Sequence, residues 1–591
     1  MRGSIIQALM RWPKIRFRLA DWLRPRDVHV TLFWAGIVGL VAACVSAAFR
    51  SGSIQLGELL FGQQGDLLSS ASEVATWRRI AVPTLGGLIA GLVLDIGTRW
   101  TRGKPSRDFM EAVSIGDGTI HVGPSIVRSL SSLFTVASGG SIGREGAMAQ
   151  LSTTAASWIG RRTWISRPRL KLLVACGAAA GIAAAYNAPI AGALFVAEIV
   201  LGTIAMSSLG PLIFASVVST VMTRQIYGPE PLYSIPKFEL VSPFELIPYL
   251  VLGVTLGAMA PAFVRLLRIS SKAFSSLPLP LSARLCLGGA IVGALSLQQP
   301  EVWGNGYLSV SSMLAGNWAV QTLVIVLVFK LVATLATVGS GAVGGVFTPT
   351  LFFGAGAGYL WGTAVHGWFP DWTAHPSAYA LVGMGSFLAG TTQAPLMAML
   401  VLFEMTLDYG IVLPLMLACV VAYTTARGID RPSIYASSLR DGGVDPEEAL
   451  VLGTIETLVK PKPVTVDRNA RFHQIVEAFQ AHRHQYLYVV DGDGRFLGAV
   501  SLHDVKPFLS DPALADLIIA SEIMHEEFKF VEQGASLATA LQAFLGQDGE
   551  RLPVVDGRGG RMLIGSISRT DLMLAISLGA NAKTGSLTGT A

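Results

Sequence analysis

The chain has 591 residues, of which 51% are apolar and only 14% charged, and its net charge is +5. A soluble domain carries about 25% charge, so the composition excludes an ordinary soluble protein of this length and points to a surface that largely faces lipid. The modest positive balance, with no folded basic module, gives no support to a nucleic-acid partner.

The N-terminal stretch, residues 1–29, is basic: Arg2, Arg11, Lys14, Arg16, Arg18, Arg24 and Arg26 precede the first long apolar run, Val30 to Ala48. That run is long enough to span a bilayer core of about 30 Å, and the positive charge before it places the N-terminus on the cytosolic side. It ends in no small-residue cleavage site, so a removed leader is not expected. Further apolar segments follow near 81–97, 172–200, 204–224, 245–268, 322–338, 350–365, 378–403 and 411–426. Many are interrupted by Gly and Pro. Interrupted helices are tolerated at membrane depth only inside protein or along a polar cavity, so the pattern is that of a transport core.

Two stretches repeat. GAAAGIAAAYNAPIAGALFVAEIV from Gly177 matches GMGSFLAGTTQAPLMAMLVLFEMT from Gly383, aligning Asn187-Ala188-Pro189 with Gln393-Ala394-Pro395 and Glu198 with Glu404, 206 residues on. Upstream, Ser138-Gly139 aligns with Ser340-Gly341 and Gly143 with Gly345, 202 residues on. Two related halves place a binding site at their interface near the midplane.

The first upstream turn reads Ser138-Gly139-Gly140-Ser141-Ile142-Gly143-Arg144-Glu145-Gly146-Ala147. Small residues let the backbone bend, and a helix starting there directs its positive end at an anion. Its counterpart is Gly344-Gly345-Val346-Phe347-Thr348-Pro349. Two converging helix ends replace an anion's hydration shell without a full charge, so the ion can also leave. Glu145 is an ionisable group in this intramembrane turn. Its carboxylate competes for the same position as a substrate anion, and protonation withdraws the competitor. A plain capping role, or pairing with Arg144, is the other reading.

After about Thr454 the pattern becomes soluble α/β. Val489-Val490-Asp491-Gly492 and Gly498-Ala499-Val500-Ser501-Leu502-His503-Asp504 are followed by Val554-Val555-Asp556-Gly557 and Gly565-Ser566-Ile567-Ser568-Arg569-Thr570-Asp571, with the closing aspartates 67 residues apart. This resembles a tandem CBS-domain pair. The resemblance implies that Asp504 and Asp571 contact the ribose of an adenine nucleotide (ATP, ADP or AMP); capping of the following helix is the alternative.

The membrane motifs together, Gly-Arg-Glu-Gly, Gly-x-Phe-x-Pro and the Asn-Ala-Pro and Gln-Ala-Pro repeats, resemble the CLC family of chloride channels and proton-coupled chloride antiporters. Trp303-Gly304-Asn305-Gly306-Tyr307 is similar to its bacterial ClcB-type branch. The resemblance implies a mainly α, multi-pass membrane fold with inverted repeats, and a homodimer with one anion pathway per subunit. It implies that Glu145 is the gating glutamate and that Gly143, Arg144, Gly146, Gly345, Val346 and Phe347 surround the anion. It also implies that Tyr435 contacts the anion through its hydroxyl. The family's Gly-Ser-Gly-Ile-Pro segment is absent, and Ser106 in Pro105-Ser106-Arg107-Asp108 is the candidate inner ligand. The family's proton-accepting glutamate after the Glu198 position is Ile199 here, which favours a passive channel over an antiporter with a water-mediated inner proton path. Glu198 itself reads as structural, bonding backbone groups freed by a helix break.

The domain expectation is residues 1–29, a membrane unit over 30–440, a linker over 441–457, CBS repeats over 458–512 and 513–580, and a tail over 581–591. The location implied is a bacterial inner membrane with the CBS pair in the cytoplasm. A CBS-regulated cation transporter needs carboxylate-rich spans, which are absent. No HExxH, GxSxG or P-loop marks an enzyme. Cys44, Cys176, Cys286 and Cys419 lack ligand spacing, as do His29, His121, His366 and His375, so neither a metal site nor a required cofactor is expected.

Overall fold

The computed structural model describes residues 27–62, 74–101, 108–114, 118–163, 167–202, 204–233, 238, 240–316, 318–430, 433–435, 454–461, 463–481, 485–505, 508, 518–545, 550–557, 560–569 and 571–572. The chain divides into two compact units, Met1–Ala436 and Ser437–Ala591.

The first unit is helical: α1 (Asp27–Phe61), α2 (Thr76–Trp100), α3 (Phe109–Ser114), α4 (Val122–Ala137), α5 (Glu145–Arg162), α6 (Arg167–Tyr186), α7 (Pro189–Phe195), α8 (Met206–Tyr227), α9 (Leu246–Ser275), α10 (Leu281–Ser296), α11 (Tyr307–Leu314), α12 (Val320–Gly339), α13 (Phe347–Trp368), α14 (Pro376–Thr392), α15 (Pro395–Thr406) and α16 (Val412–Ile429). Among the described residues, seven helices are long and apolar enough to cross a membrane. Several others are not, because polar side chains are built into them. In α5, Thr153 Oγ1 donates to Ala149 O and Thr154 Oγ1 to Gln150 O, which satisfies hydroxyls in the protein interior. Hydropathy alone passes over such a helix.

The apolar segments 172–200 and 378–403 each resolve into two helices. Asn187 (φ 56°) and Gln393 (φ 57°) adopt the left-handed conformation, and Pro189 and Pro395 restart the helix. Both new helix ends are capped by the opposite half. Glu404 accepts Ile190 N at 3.0 Å and Ala191 N at 2.8 Å. Glu198 accepts Leu396 N at 3.3 Å and Met397 N at 2.8 Å. The structural role read for Glu198 holds, and the freed amides it bonds belong to the other repeat. A carboxylate on two N-terminal amides is a charge-assisted contact, so the pair locks the halves together.

The halves also meet at Gly143 and Gly345, which form an antiparallel bridge with N–H···O distances of 2.7 and 2.9 Å. Because the bridge is antiparallel, the turns enter it from opposite directions, as inverted repeats require. A buried lysine braces one side: Lys330, in mid α12, donates to the carbonyls of Gly304 (2.9 Å) and Val302 (3.0 Å). The same turn returns Gly304 N to Gly139 O at 3.1 Å. Ser141 N donates to Thr337 Oγ1 at 3.2 Å on α12. The Gly-rich turn is thus fixed from two sides.

The second unit holds two small sheets with helices α17 (Phe472–Ala481), α18 (Leu502–Val505), α19 (Ala520–Ile523) and α20 (Leu537–Leu545). Strands β2 (Thr465–Asp467), β3 (Tyr486–Val490) and β4 (Phe496–Ser501) form one sheet, with β2 and β3 parallel and β3 and β4 antiparallel. Strands β5 (Val531–Glu532), β6 (Arg551–Val555) and β7 (Leu563–Ser568) repeat this pattern. Strand β1 (Lys460–Pro461), at the start of the first repeat, pairs with β7, so it completes the second repeat's sheet. Phe496 N donates to Arg561 O at 2.8 Å, and Tyr488, Phe496, Phe528 and Val555 share one apolar cluster, which joins the two repeats.

Candidate functional site

The site is built where α5 and α13 begin. Glu145 is the first residue of α5, and its side chain is buried, at 6% exposure. Its carboxylate reaches across the bridge to the start of α13. Thr348 N donates to Oε1 at 3.1 Å and Thr348 Oγ1 to Oε2 at 3.3 Å. The first amides of a helix have no partner within it, and Pro349 in the same turn brings no N–H. Thr348 N–H is therefore left for an external acceptor, and the carboxylate takes it. This anionic group sits where an anion drawn to that helix end would sit.

Glycine is what makes room. A Cβ on Gly143 would lie 2.1 Å from both Glu145 carboxylate oxygens, and one on Gly345 would lie 2.6 Å from Oε1. Gly143 N–H donates to Gly345 O and Gly345 N–H to Gly143 O, so these two residues shape the site and offer no N–H to an anion. A Cβ on Gly146 would face the Gly344–Gly345 backbone at 3.3 Å, so Gly146 allows the two turns to approach. Arg144 is the N-cap of α5, and its guanidinium lies 5.8 Å from the Tyr307 ring. Val346 is the N-cap of α13 and Phe347 its first residue.

On the other side of Thr348, aromatic residues form a wall. Tyr186 Oη lies 3.4 Å from Thr348 Oγ1, and its ring lies 4.7 Å from Phe347. Phe195 packs edge-on against Tyr435 at 5.5 Å and lies 6.5 Å from Phe347. Tyr435 is in electrostatic reach of Glu145 and Asp108. The structure therefore gathers Glu145, Phe347 and Tyr435 around one point. It adds Thr348, Tyr186 and Phe195, which sequence reasoning did not single out. Thr348 was legible as the residue before a first-turn proline, whereas the aromatic wall comes from three separated segments. Ser106 lies outside the described residues. Ile199 follows Glu198 in a π-helical turn, Val196–Val200, and packs against the apolar core.

The Voltage gated chloride channel family model matches residues 86–427, and the CBS domain model matches residues 455–511 and 520–578. The chain belongs to the voltage-gated chloride channel (CLC) family. A ClcB-like chloride channel protein of Ralstonia nicotianae is 49% identical over 409 residues, covering 68% of this chain and 95% of that protein. The voltage-gated ClC-type chloride channel ClcB of Escherichia coli O9:H4 (strain HS) is 42% identical, covering 68% and 97%. Among solved structures, a slow cyanobacterial Cl−/H+ antiporter matches with TM-score 0.63 and 26% identity over 70% of this chain and 97% of that one. A eukaryotic CLC transporter, at 16% identity and TM-score 0.64, shares the fold over 92% of this chain and 99% of its own. As a CLC protein, this chain is a multi-pass membrane chloride transporter and not an enzyme.

In the CBS pair the serines of the repeated element each accept a backbone N–H a few residues downstream: His503 N donates to Ser501 Oγ and Asp571 N to Ser568 Oγ, each at 3.0 Å. The aspartates instead meet basic side chains. Asp504 Oδ2 lies 2.7 Å from His525 Nε2, and Asp571 Oδ2 lies 2.6 Å from Lys460 Nζ. The Lys460 hydrogen bond, with Ser568 beside it, holds the Asp571 carboxyl below its ordinary 3.8. A separate cavity of about 140 Å³ is lined by Val464, Gln485, Tyr486, Tyr488, Glu550, Arg551 and Ser566.

Proposed function

We propose that this CLC protein is a chloride channel, with one anion pathway per subunit of a homodimer, gated by Glu145. The observation that carries this reading is the Glu145 carboxylate bonded to the free amide of α13 through Thr348. A carboxylate there and a permeating anion compete for the same donor, so the path opens when the carboxylate leaves or is protonated. Gly143, Gly146 and Gly345 shape this position, and Arg144 supplies positive potential at its edge. Val346 and Phe347 begin the helix, Tyr435 contacts the anion, and Ser106 is the candidate inner ligand. Ile199 and the capping role of Glu198 leave no carboxylate free at the family's inner proton position.

Asp108 favours a second reading, chloride/proton exchange. It is an acidic side chain in electrostatic reach of Tyr435, which packs against Phe195 beside the Glu145 site. The deciding experiment is chloride flux in proteoliposomes at controlled voltage with external pH recorded, for wild type, Glu145→Gln and Asp108→Asn. Chloride flux without coupled proton movement supports the channel. Uphill proton movement that is lost in both variants replaces that reading with exchange through Asp108.

The location in this reading is a bacterial inner membrane, with the CBS pair in the cytoplasm. The domain division carried forward is 30–440 for transport, with CBS repeats over 458–512 and 513–580. An adenine nucleotide at Asp504 and Asp571 would have to displace His525 and Lys460. Calorimetry with ATP and AMP on the C-terminal unit tests that regulation, and absence of heat at millimolar ligand marks the pair as structural.

A further inference from the structure

Two arginines lie beside the Glu145 site, and Glu145 is in electrostatic reach of Arg144 without forming an ion pair with it. Arg50 projects from α1 and rests on the Tyr227 ring, its Cζ 4.1 Å from the ring centre. Arg144 rests on the Tyr307 ring. The two guanidinium groups are close enough to repel one another, and both act on the Tyr307 hydroxyl. The Nε of each is buried with no hydrogen-bond partner. Neither has a carboxylate at ion-pair distance among the described residues, because Glu145 turns its oxygens to Thr348. Both side chains are half-buried; arginine cannot shed its proton, and a buried N–H left without an acceptor is costly. Cation–π contact with two tyrosines offsets only part of that cost.

The other half of the molecule shows what is missing. Helices α1 and α8 correspond to α9 and α16: Gly39 sits against Ala215 O, as Gly253 sits against Ala418 O. Tyr227 follows Ala215 by 12 residues, as Asp430 follows Ala418 (227 − 215 and 430 − 418). Arg50 follows Gly39 by 11 residues, and Arg265 follows Gly253 by 12 (50 − 39 and 265 − 253). In the second half the arginine has a carboxylate, with Arg265 Nε 3.0 Å from Asp430 Oδ2. In the first half the acid's place is taken by the Tyr227 phenol, and a second arginine has been brought in.

We propose that Arg50 and Arg144 form a second anion site, a staging position before Glu145 that holds a small monovalent anion of the chloride class. It rests on the reading that anions pass Glu145. Arg50 lies 23 residues into α1, about 35 Å along the helix from its start, so the site belongs to the face opposite the basic N-terminus. An anion arriving there meets two guanidinium donors and neutralises their repulsion. It then stands one step from the helix end that Glu145 vacates.

The test varies chloride on one face at a time in proteoliposomes of the full chain. Arg50→Gln is expected to raise the half-saturating chloride concentration about fivefold on the outer face. Half-saturation on the inner face and the maximal rate stay as in the wild type, and Arg50→Lys, which keeps the charge, stays close to wild type. Equal outer half-saturation in wild type and Arg50→Gln would overturn the proposal. So would Gln and Lys variants that lose maximal rate alike, the sign of a packing role. Crystals of the full chain in bromide supply a readout independent of transport. An anomalous peak touching both guanidinium groups is expected in the wild type and not in Arg50→Gln, and its absence from the wild type would refute the site even if chloride is transported. A protein that moves no chloride but shows the peak would sink the channel reading and leave the anion site standing.

Discussion

Gly143→Ala is the sharpest test of the idea that the Glu145 carboxylate occupies an anion position. Gly143 does not have a positive φ, so the backbone accepts alanine, and the effect is one of space. The new Cβ would fall 2.1 Å from both carboxylate oxygens, and the carboxylate must move by more than 1 Å to reach ordinary contact near 3.4 Å. It then loses the Thr348 N–H and Oγ1 bonds of 3.1 and 3.3 Å. Hydrogen bonds to a charged group contribute about 1.5–3 kcal/mol each. Since these two are long, their joint loss is about 2–4 kcal/mol, or roughly 30- to 700-fold in occupancy. An anion in the same place meets the same methyl group. In Gly143→Ala the displaced carboxylate frees the path while the methyl group narrows it, so the deciding comparison is made in Glu145→Ala, where no carboxylate remains: adding Gly143→Ala there should lower chloride flux. The assay is chloride efflux from proteoliposomes, with size-exclusion profiles to confirm intact protein. If the double variant carries chloride as fast as Glu145→Ala alone, the carboxylate's position is not on the anion path and the reasoning fails.

Three further outcomes follow from the geometry. Glu404→Ala removes two charge-assisted bonds at a buried helix end and should cost about 3–5 kcal/mol, seen as a lower Tm in detergent. Glu198→Ala should cost less, because Glu198 is half-buried and one of its bonds is 3.3 Å; equal losses would argue against the caps as the cause. Lys330→Met leaves the Val302 and Gly304 carbonyls without their donor and should lower stability by about 2–4 kcal/mol while slackening the turn that holds Gly139. A variant as stable as wild type would show that the lysine bears no load. In the C-terminal unit, the Asp571 carboxyl lies below its ordinary 3.8 because of Lys460. Its contribution is thus complete above about pH 4 and is lost as pH falls through the lowered value. Urea unfolding of residues 437–591 between pH 2 and 5 should show that loss in the wild type and a flatter profile in Lys460→Met; superimposable profiles would remove the ion pair from the account.

The sequence by itself determined the two-unit division, the internal repeat, the Gly-rich turns and the place of Glu145 in one of them. These are properties of composition and spacing: helix breaks need Pro and a residue tolerant of positive φ, tight approach needs glycine, and a lone carboxylate in an apolar turn stands out. It also marked Glu198 as structural from its place after a helix break. Only the tertiary structure decided which amides each glutamate holds, because Glu198 and Glu404 cap helices about 200 residues away in the opposite half. It also decided that the Glu145 carboxylate rests on Thr348, that Gly143 and Gly345 spend their amides on each other, and that Asp504 and Asp571 face His525 and Lys460. Arg50 was invisible for the same reason. In sequence it is one charge inside a long helix, and it becomes informative only when folding sets it beside Arg144 with a tyrosine where the other half has an aspartate. Such contacts depend on which surfaces the inverted halves press together, and no local pattern in either half encodes that partnership.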